Sequence, residues 1–313
     1  MRVHLDNVNM GSSSGPNSFG KRLAMGLIES GHDLELYDGT NADISIVFIE
    51  PSGRPLAKKV IQRLDGIWFS PSEFETKNSA IKNLYQRADG VIWQSEFDKG
   101  MTTKWWNNPK KGSIIRNGIN APKIKSFQIP ALEQLRQQYE MLFVCSANWH
   151  PQKRLLTNIE LYKHLRNFYS SSALIVLGLN PTQIADPHIF YAGSQPHEVC
   201  LEIFSAANWM LHTAWLDHCP NTVVECLSQD TPVVCSDQGG TKELVQNYGV
   251  ILKESKEYNF ELTDYNNPPI LDIHQIKSKL PDKTSLQKCF DVSMERCLRD
   301  YINFINEILN ENN

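Results

Sequence analysis

The stretch Leu216–Val245, "LDHCPNTVVECLSQDTPVVCSDQGGTKELV", decides how the rest of the chain is read. It follows "WMLH" (209–212), a short apolar run that reads as a buried strand. "CPN" is a turn signal, and Thr222 opens a helical segment carrying Val223, Val224 and Leu227. "PVVCS" is a second continuous apolar run, and Gly239-Gly240 then leads into another helix with Glu243. Strands that are apolar on both faces and alternate with helices belong to a parallel sheet covered on both sides.

The same rhythm runs outward in both directions. Upstream lie the strand-like "MLFVCSA", "SALIVLG" and "HIFYAG", with helical "KRLLTNIELYKHLRNF" and "HEVCLEIFSAA" among them. The first half repeats the scheme with "RVHLDNV", "LELY", "DISIVFI", "GIWFS", "GVIWQS" and "GSIIRNG". Its first helix, "NSFGKRLAMGLIESG", places Phe19, Leu23 and Leu27 on one face and ends at Gly31. Residues 120–134 read as a linker, residues 253–285 are poor in periodicity, and "LQKCFDVSMERCLRDYINFINEIL" is a long amphipathic helix. The expected organisation is α/β, with two doubly wound Rossmann-like domains over 1–130 and 138–285. A ligand cleft is expected between them at the carboxyl ends of the strands.

Bulk properties narrow the function. The 313 residues carry 31 basic and 35 acidic side chains, a net charge of −4, so nothing in the charge balance calls for nucleic acid. Seven cysteines are scattered without a C-x-x-C pair, which suits a reducing, cytoplasmic compartment better than a disulfide framework. No apolar run approaches the ~20 residues of a membrane span. The nine histidines show no metal-binding spacing, so neither a protein-bound metal nor another cofactor is expected.

Several side chains are candidates for binding or chemistry, each with a plain structural alternative. Asp217 in the loop and Glu225 in the helix could take sugar hydroxyls, while the helix start could hold an anion. Thr222-x-x-Glu225 is equally a capping box. In "SANWHPQKRL" (146–155), Lys153 and Arg154 fall in the first turn of a helix, where the dipole disfavours cations. For Lys153 this favours an anion placed against it, and for Arg154 a solvated surface position. Residues 11–23, "GSSSGPNSFGKRL", form a Gly/Ser loop that lets backbone approach a phosphate or sugar, or simply a flexible connector. Asp65 is either a polar contact in the cleft or a turn residue before the strand-like "GIWFS". Residues 99–132 hold seven Lys and Arg, no acid and Trp105-Trp106. This is either a patch for an anionic acceptor or a lipid head group, with peripheral membrane contact, or an ordinary solvated loop.

The order of these motifs, with "NGI", a lysine-bearing turn, acid-x7-acid, "PVV" and "GGxxE", resembles the retaining glycosyltransferases of family 4, over roughly residues 1–250. That resemblance implies the GT-B architecture and transfer of a hexose, with retention, from a nucleoside-diphosphate sugar to a glycan or other glycoconjugate hydroxyl. No metal is needed in that chemistry. By the resemblance, Asp217 meets the donor sugar, Glu225 the ribose hydroxyls and Lys153 the diphosphate. Cys219, Asn221 and Thr222 lie where the backbone reaches the diphosphate or sugar, Gly15 near the donor phosphate, and Tyr191–Gly193 near the base. The family's phosphate-binding arginine, five positions before the lysine, is Asn148 here, with His150 or Arg154 as candidates to compensate. The family's N-domain histidine falls loosely on Asp65. The helix within 286–313 is expected to cross back to the first domain.

Overall fold

The computed structural model describes residues 1–12, 14–124, 127–179 and 183–310. Lys125 of the basic stretch and the last three residues of the expected final domain lie outside them. The chain forms two compact units. Unit 1 comprises Met1–Asn120, Asn259–Asp264 and Val292–Asn313, and unit 2 comprises Ala121–Tyr258 and Tyr265–Asp291.

Unit 1 contains strands β1 (Arg2–Asp6), β2 (Asp33–Glu35), β3 (Ile44–Phe48), β4 (Val60–Arg63), β5 (Gly90–Trp93) and β6 (Gly112–Ile114). They form one parallel sheet in the order β2-β1-β3-β4-β5-β6. Helix α1 (Gly15–Glu29) lays Phe19, Leu23 and Leu27 into the core, and the chain turns at Gly31 with φ +77°. Helices α2 (Phe74–Arg87) and α3 (Glu96–Trp106) follow. Helix α3 starts where the Ser95 hydroxyl accepts from the Asp98 amide, with Glu96 and Asp98 in the favourable first turn.

One strand differs from the sequence expectation. "GIWFS" is not a strand; the fourth strand is "VIQR", four-residue β4 just upstream. Its polar residues are buried with partners from other segments. Gln62 donates to the carbonyls of Ile49 and Ile81 at 2.7 and 2.9 Å. The fully buried Arg63 guanidinium lies over the rings of Phe19 and Phe48, 4.3 and 4.7 Å from their centroids. Asp65 therefore follows a strand at its carboxyl end rather than preceding one.

The aromatic pair in the basic stretch is absorbed by packing. Trp105 meets Phe74 and donates to the Phe260 carbonyl at 3.1 Å, and Trp106 is buried edge-on to Tyr85. Among the described residues, no helix is long and apolar enough to cross a membrane.

Unit 2 begins with α4 (Pro130–Gln138), which lies where a linker was expected, with Pro130 in its first turn and Leu132 buried. Then come β7 (Met141–Ser146), α5 (Leu155–Leu165), β8 (Ser172–Leu177), β9 (Ile189–Gly193), α6 (His197–Ala206) and β10 (Trp209–His212). After these follow α7 (Asn221–Ser228), β11 (Val233–Ser236), α8 (Thr241–Val245) and β12 (Gly249–Leu252). The sheet is again wholly parallel, in the order β12-β11-β10-β7-β8-β9. Strand order reverses between the adjacent strands β7 and β10, which pair Trp209 with Phe143 and Met210 with Val144. At such a reversal the loops leaving the two strands run to opposite sides and leave a crevice outside their carboxyl ends.

The last helix, α9 (Met294–Asn310), belongs to unit 1. Cys297, Tyr301, Phe304, Ile305 and Ile308 enter the same core as Phe19, Leu23 and Leu27. Arg63 Nε donates to the Tyr301 hydroxyl at 3.0 Å, and Arg296 donates to the carbonyls of Arg116 and Asn117.

Candidate active site

The loop after β7 carries Lys153, and the loop after β10 carries Asp217. Each loop is shaped by backbone that few residues tolerate. Pro151–Lys153 is a single tight turn, and Arg154 then adopts a left-handed conformation, φ 52° and ψ 51°, before α5 begins at Leu155. The expected placement of Lys153 and Arg154 in the first turn of a helix is thus replaced by a turn that stops short of it. Leu216 is also left-handed, φ 56°. The two loops are joined where the Trp215 amide donates to the Gln152 carbonyl at 2.8 Å. Thr213 donates from both its amide and hydroxyl to Asn158 Oδ1 of α5.

This bracing brings Lys153 Nζ to 2.5 Å from Asp217 Oδ2. The same oxygen lies 3.2 Å from His212 Nε2, at the end of β10. Burial works to raise the Asp217 pKa, but the Lys153 charge and the His212 hydrogen bond outweigh it and hold the carboxyl well below the usual range. Burial lowers His218 to about 4, with Asp217 opposing and Lys153 adding to the shift. The site is therefore an ammonium and a carboxylate locked together, with a neutral imidazole beside them.

A third loop supports Asp217. Gly239, φ +97°, bridges to Asp217 in parallel-strand fashion, and the Gly240 amide donates to the Asp217 carbonyl at 2.7 Å. A Cβ on Gly239 would come within 2.8 and 2.9 Å of the Asp217 carbonyl oxygen and amide nitrogen. These glycines do more than turn the chain from strand to helix: they let it approach the Asp217 backbone.

Glu225 is buried on α7, and its Oε1 lies 3.7 Å from Nδ1 of the half-exposed His197 at the start of α6. The capping-box alternative fails, because the residue before the helix is Pro220 and no side chain caps it. Thr222 is the second residue of the helix, not its cap. Cys219 is buried at the loop end.

Arg154 is corrected as a donor-binding candidate. It is only 4% exposed, and its guanidinium is spent inside the unit. It pairs with both oxygens of Glu254, at 2.5 and 3.1 Å, and donates to the carbonyls of Thr213 and Pro269. Ser236 adds a hydrogen bond to Glu254 at 2.6 Å. Asn148 and His150 are exposed beside Lys153 in sequence. The Tyr191 hydroxyl is tied to the Ile184 amide and carbonyl, and Gly193, φ +67°, accepts from the Gly178 amide.

Gly15 and Asp65 belong to unit 1. Gly15 is the exposed first residue of α1. Asp65 accepts from Arg63 and Gln94 on Oδ1, while Oδ2 is buried and takes no hydrogen bond. Burial raises its pKa against the opposing Arg63 charge. Sequence reasoning did not single out His212 or His197. The spacing of His212 five residues before Asp217, across one loop, was the available signal. Among the described residues, no group of three or more His, Cys, Asp or Glu side chains converges to hold a metal ion.

Residues 133–260, which carry this constellation, match the family Glycosyl transferases group 1. An uncharacterized glycosyltransferase of Methanocaldococcus jannaschii is 22% identical over 253 residues, 69% of this chain. The match spans 61% of that relative's length. Among solved structures, sucrose-phosphate synthase from Thermosynechococcus elongatus superposes with a TM-score of 0.71 at 13% identity, covering 98% of this chain and 99% of that one. Anabaena HepE in complex with UDP-glucose gives 0.62 at 16% identity, covering 100% and 99%. The two parallel six-stranded units thus share the GT-B fold of these glycosyltransferase structures, and residues 133–260 match the group 1 family model.

Proposed function

We propose that this chain transfers a hexosyl group, with retention, from a nucleoside-diphosphate sugar to a hydroxyl of a glycan or glycoconjugate. The observation that carries the reading is the meeting of Lys153 and Asp217 at the strand-order reversal of the unit that matches the group 1 family. That is where open parallel sheets bind nucleotides. An ammonium there suits a diphosphate, and a carboxylate suits sugar hydroxyls.

In this mechanism the bond between the anomeric carbon and the diphosphate oxygen breaks, and its electron pair leaves with the diphosphate. Lys153 and the first amides of α7 stabilise that developing charge, the kind of preorganised electrostatic term that commonly contributes about 10²–10³ in rate per donor. The acceptor oxygen attacks from the face the diphosphate leaves, and its proton passes to a diphosphate oxygen. Asp217 orients the sugar, Glu225 the ribose hydroxyls. Asp65, in unit 1, takes the acceptor. No divalent cation enters the scheme, so EDTA should leave turnover unchanged.

The test is a panel of UDP-, GDP- and ADP-sugars scored for nucleotide release with and without glycan acceptors. The reading requires acceptor-dependent release with at least one donor, and an α-configured product from an α-configured donor. Release without acceptor, with a new free sugar nucleotide, would mark an epimerase instead. Binding without turnover across the panel would mark a subunit that holds nucleotide sugars without using them.

A further inference from the structure

We infer that His212 is a positioning residue, the donor that keeps Asp217 in place when Lys153 turns to the diphosphate. This rests on the donor-site reading above. The observation is that two donors converge on one oxygen. Lys153 Nζ and His212 Nε2 both reach Asp217 Oδ2, at 2.5 and 3.2 Å, and Oδ1 makes no hydrogen bond with the described residues. The carboxylate is held by one edge, with the other available to a ligand.

The two donors are not equivalent. Lys153 sits on a flexible stem and can redirect its ammonium toward a dianionic ligand. His212 cannot: it ends β10, is 4% exposed, and is followed by Thr213, whose amide and hydroxyl are tied to Asn158. An imidazole nitrogen bonds a carboxylate only by donating, so Nε2 carries a proton in this contact. A carboxylate abandoned by its only cation in a buried site is strongly disfavoured. With His212 fixed on Oδ2, Asp217 stays ionised, bonded and oriented while Lys153 is shared with the incoming diphosphate. His212 thus removes part of the cost of opening the Lys153–Asp217 pair, and that makes nucleotide affinity depend on it.

A double-mutant cycle reads this out. UDP, GDP and ADP are titrated by calorimetry into the full chain and into the His212→Leu, His212→Gln, Asp217→Asn and His212→Leu/Asp217→Asn variants, with thermal midpoints recorded for each. For whichever nucleotide the parent binds, His212→Leu should weaken affinity about tenfold, a coupling of the size seen for residues in contact. The Gln variant, whose amide N–H reaches the same oxygen, should recover most of it. In the Asp217→Asn background the His212→Leu effect should vanish, since no carboxylate is left to strand. An equal effect in both backgrounds, or none with Asp217 present, overturns the inference while leaving the donor-site reading intact. If none of the three nucleotides binds the parent chain, the donor-site reading itself fails. Should the Leu variant not fold, His212→Asn, too short to reach Oδ2, takes its place with the same expectations.

Discussion

Arg154 and Glu254 form a two-pronged ion pair, at 2.5 and 3.1 Å, sealed inside unit 2 directly behind Lys153. Arg154 also holds a left-handed backbone, which costs a residue with a Cβ about 1–2 kcal/mol. The pair therefore anchors the turn that aims Lys153. Removing one partner leaves a buried charge alone, so Glu254→Ala or Arg154→Met should each destabilise the protein by about 3–5 kcal/mol. Arg154→Lys should not rescue, because one ammonium cannot serve both carboxylate oxygens and two carbonyls. Urea denaturation midpoints decide it; losses under about 1 kcal/mol would place the pair among the neutral surface contacts.

Asp217→Asn should separate binding from chemistry. The substitution frees Lys153 from its carboxylate, so UDP, if it is the nucleotide bound, should bind at least as tightly as to the parent. Turnover should fall by about 10²-fold or more, as for other preorganised polar groups. Calorimetry beside a nucleotide-release assay measures both; weaker UDP binding with intact turnover would contradict the assignment.

Acid should weaken the fold before it breaks the Lys153–Asp217 pair. His218 titrates near 4 in the folded chain, below its ordinary value of about 6.5. Its neutral form is compatible with the fold, so the penalty is absent above about pH 6.5 and grows as pH falls toward 4, reaching about 3 kcal/mol. His4 in unit 1, also lowered mainly by burial, acts in the same direction. Asp217 behaves oppositely: its carboxyl is depressed, so its contribution is present above about pH 3.9 and is lost only below that. Thermal midpoints between pH 7 and pH 4.5 should therefore fall, and His218→Asn should flatten the slope without abolishing it. An unchanged slope in that variant would rule out His218 as its source.

Gly239→Ala tests the support under Asp217. The added Cβ meets the Asp217 backbone at under 3 Å, on a backbone whose φ of +97° already disfavours side chains. Stability should drop by about 1–3 kcal/mol, and turnover should drop by more than an equally destabilising change elsewhere in the unit. Pairing the Gly239→Ala kinetics with those of a core variant such as Val223→Ala makes the comparison.

The alternation of apolar strands with helices was legible because strands buried on both faces are written in Val, Ile and Leu, as in "ISIVF" of β3 and "VVCS" of β11. What escaped was polar residues doing core work. "VIQR" was not among the strands read from the sequence, because the partners of Arg63 and Gln62, namely Phe19, Tyr301 and the Ile49 and Ile81 carbonyls, come from distant segments. Arg154 read from its position as a solvated surface residue, and by the resemblance as a candidate phosphate contact, because Glu254 lies 100 residues away and only the fold brings it close. His212 was hidden at the end of "WMLH", where it counted as part of a strand. Lys153 and Asp217 were picked out from their places in two loops and given roles by motif order; no local periodicity carries a distance between residues 64 apart.

Helix α9 gives the chain an unusual order of assembly. Most of unit 1 is translated before unit 2, yet Tyr301, Phe304 and Ile308, which fill its core, are translated after it. Throughout the synthesis of unit 2, the apolar face of α1 and the Arg63 guanidinium stand without their final covering. Unit 1 is therefore completed only once α9 has been translated, so a nascent chain stalled before Val292 should hold a folded unit 2 joined to an unfinished unit 1.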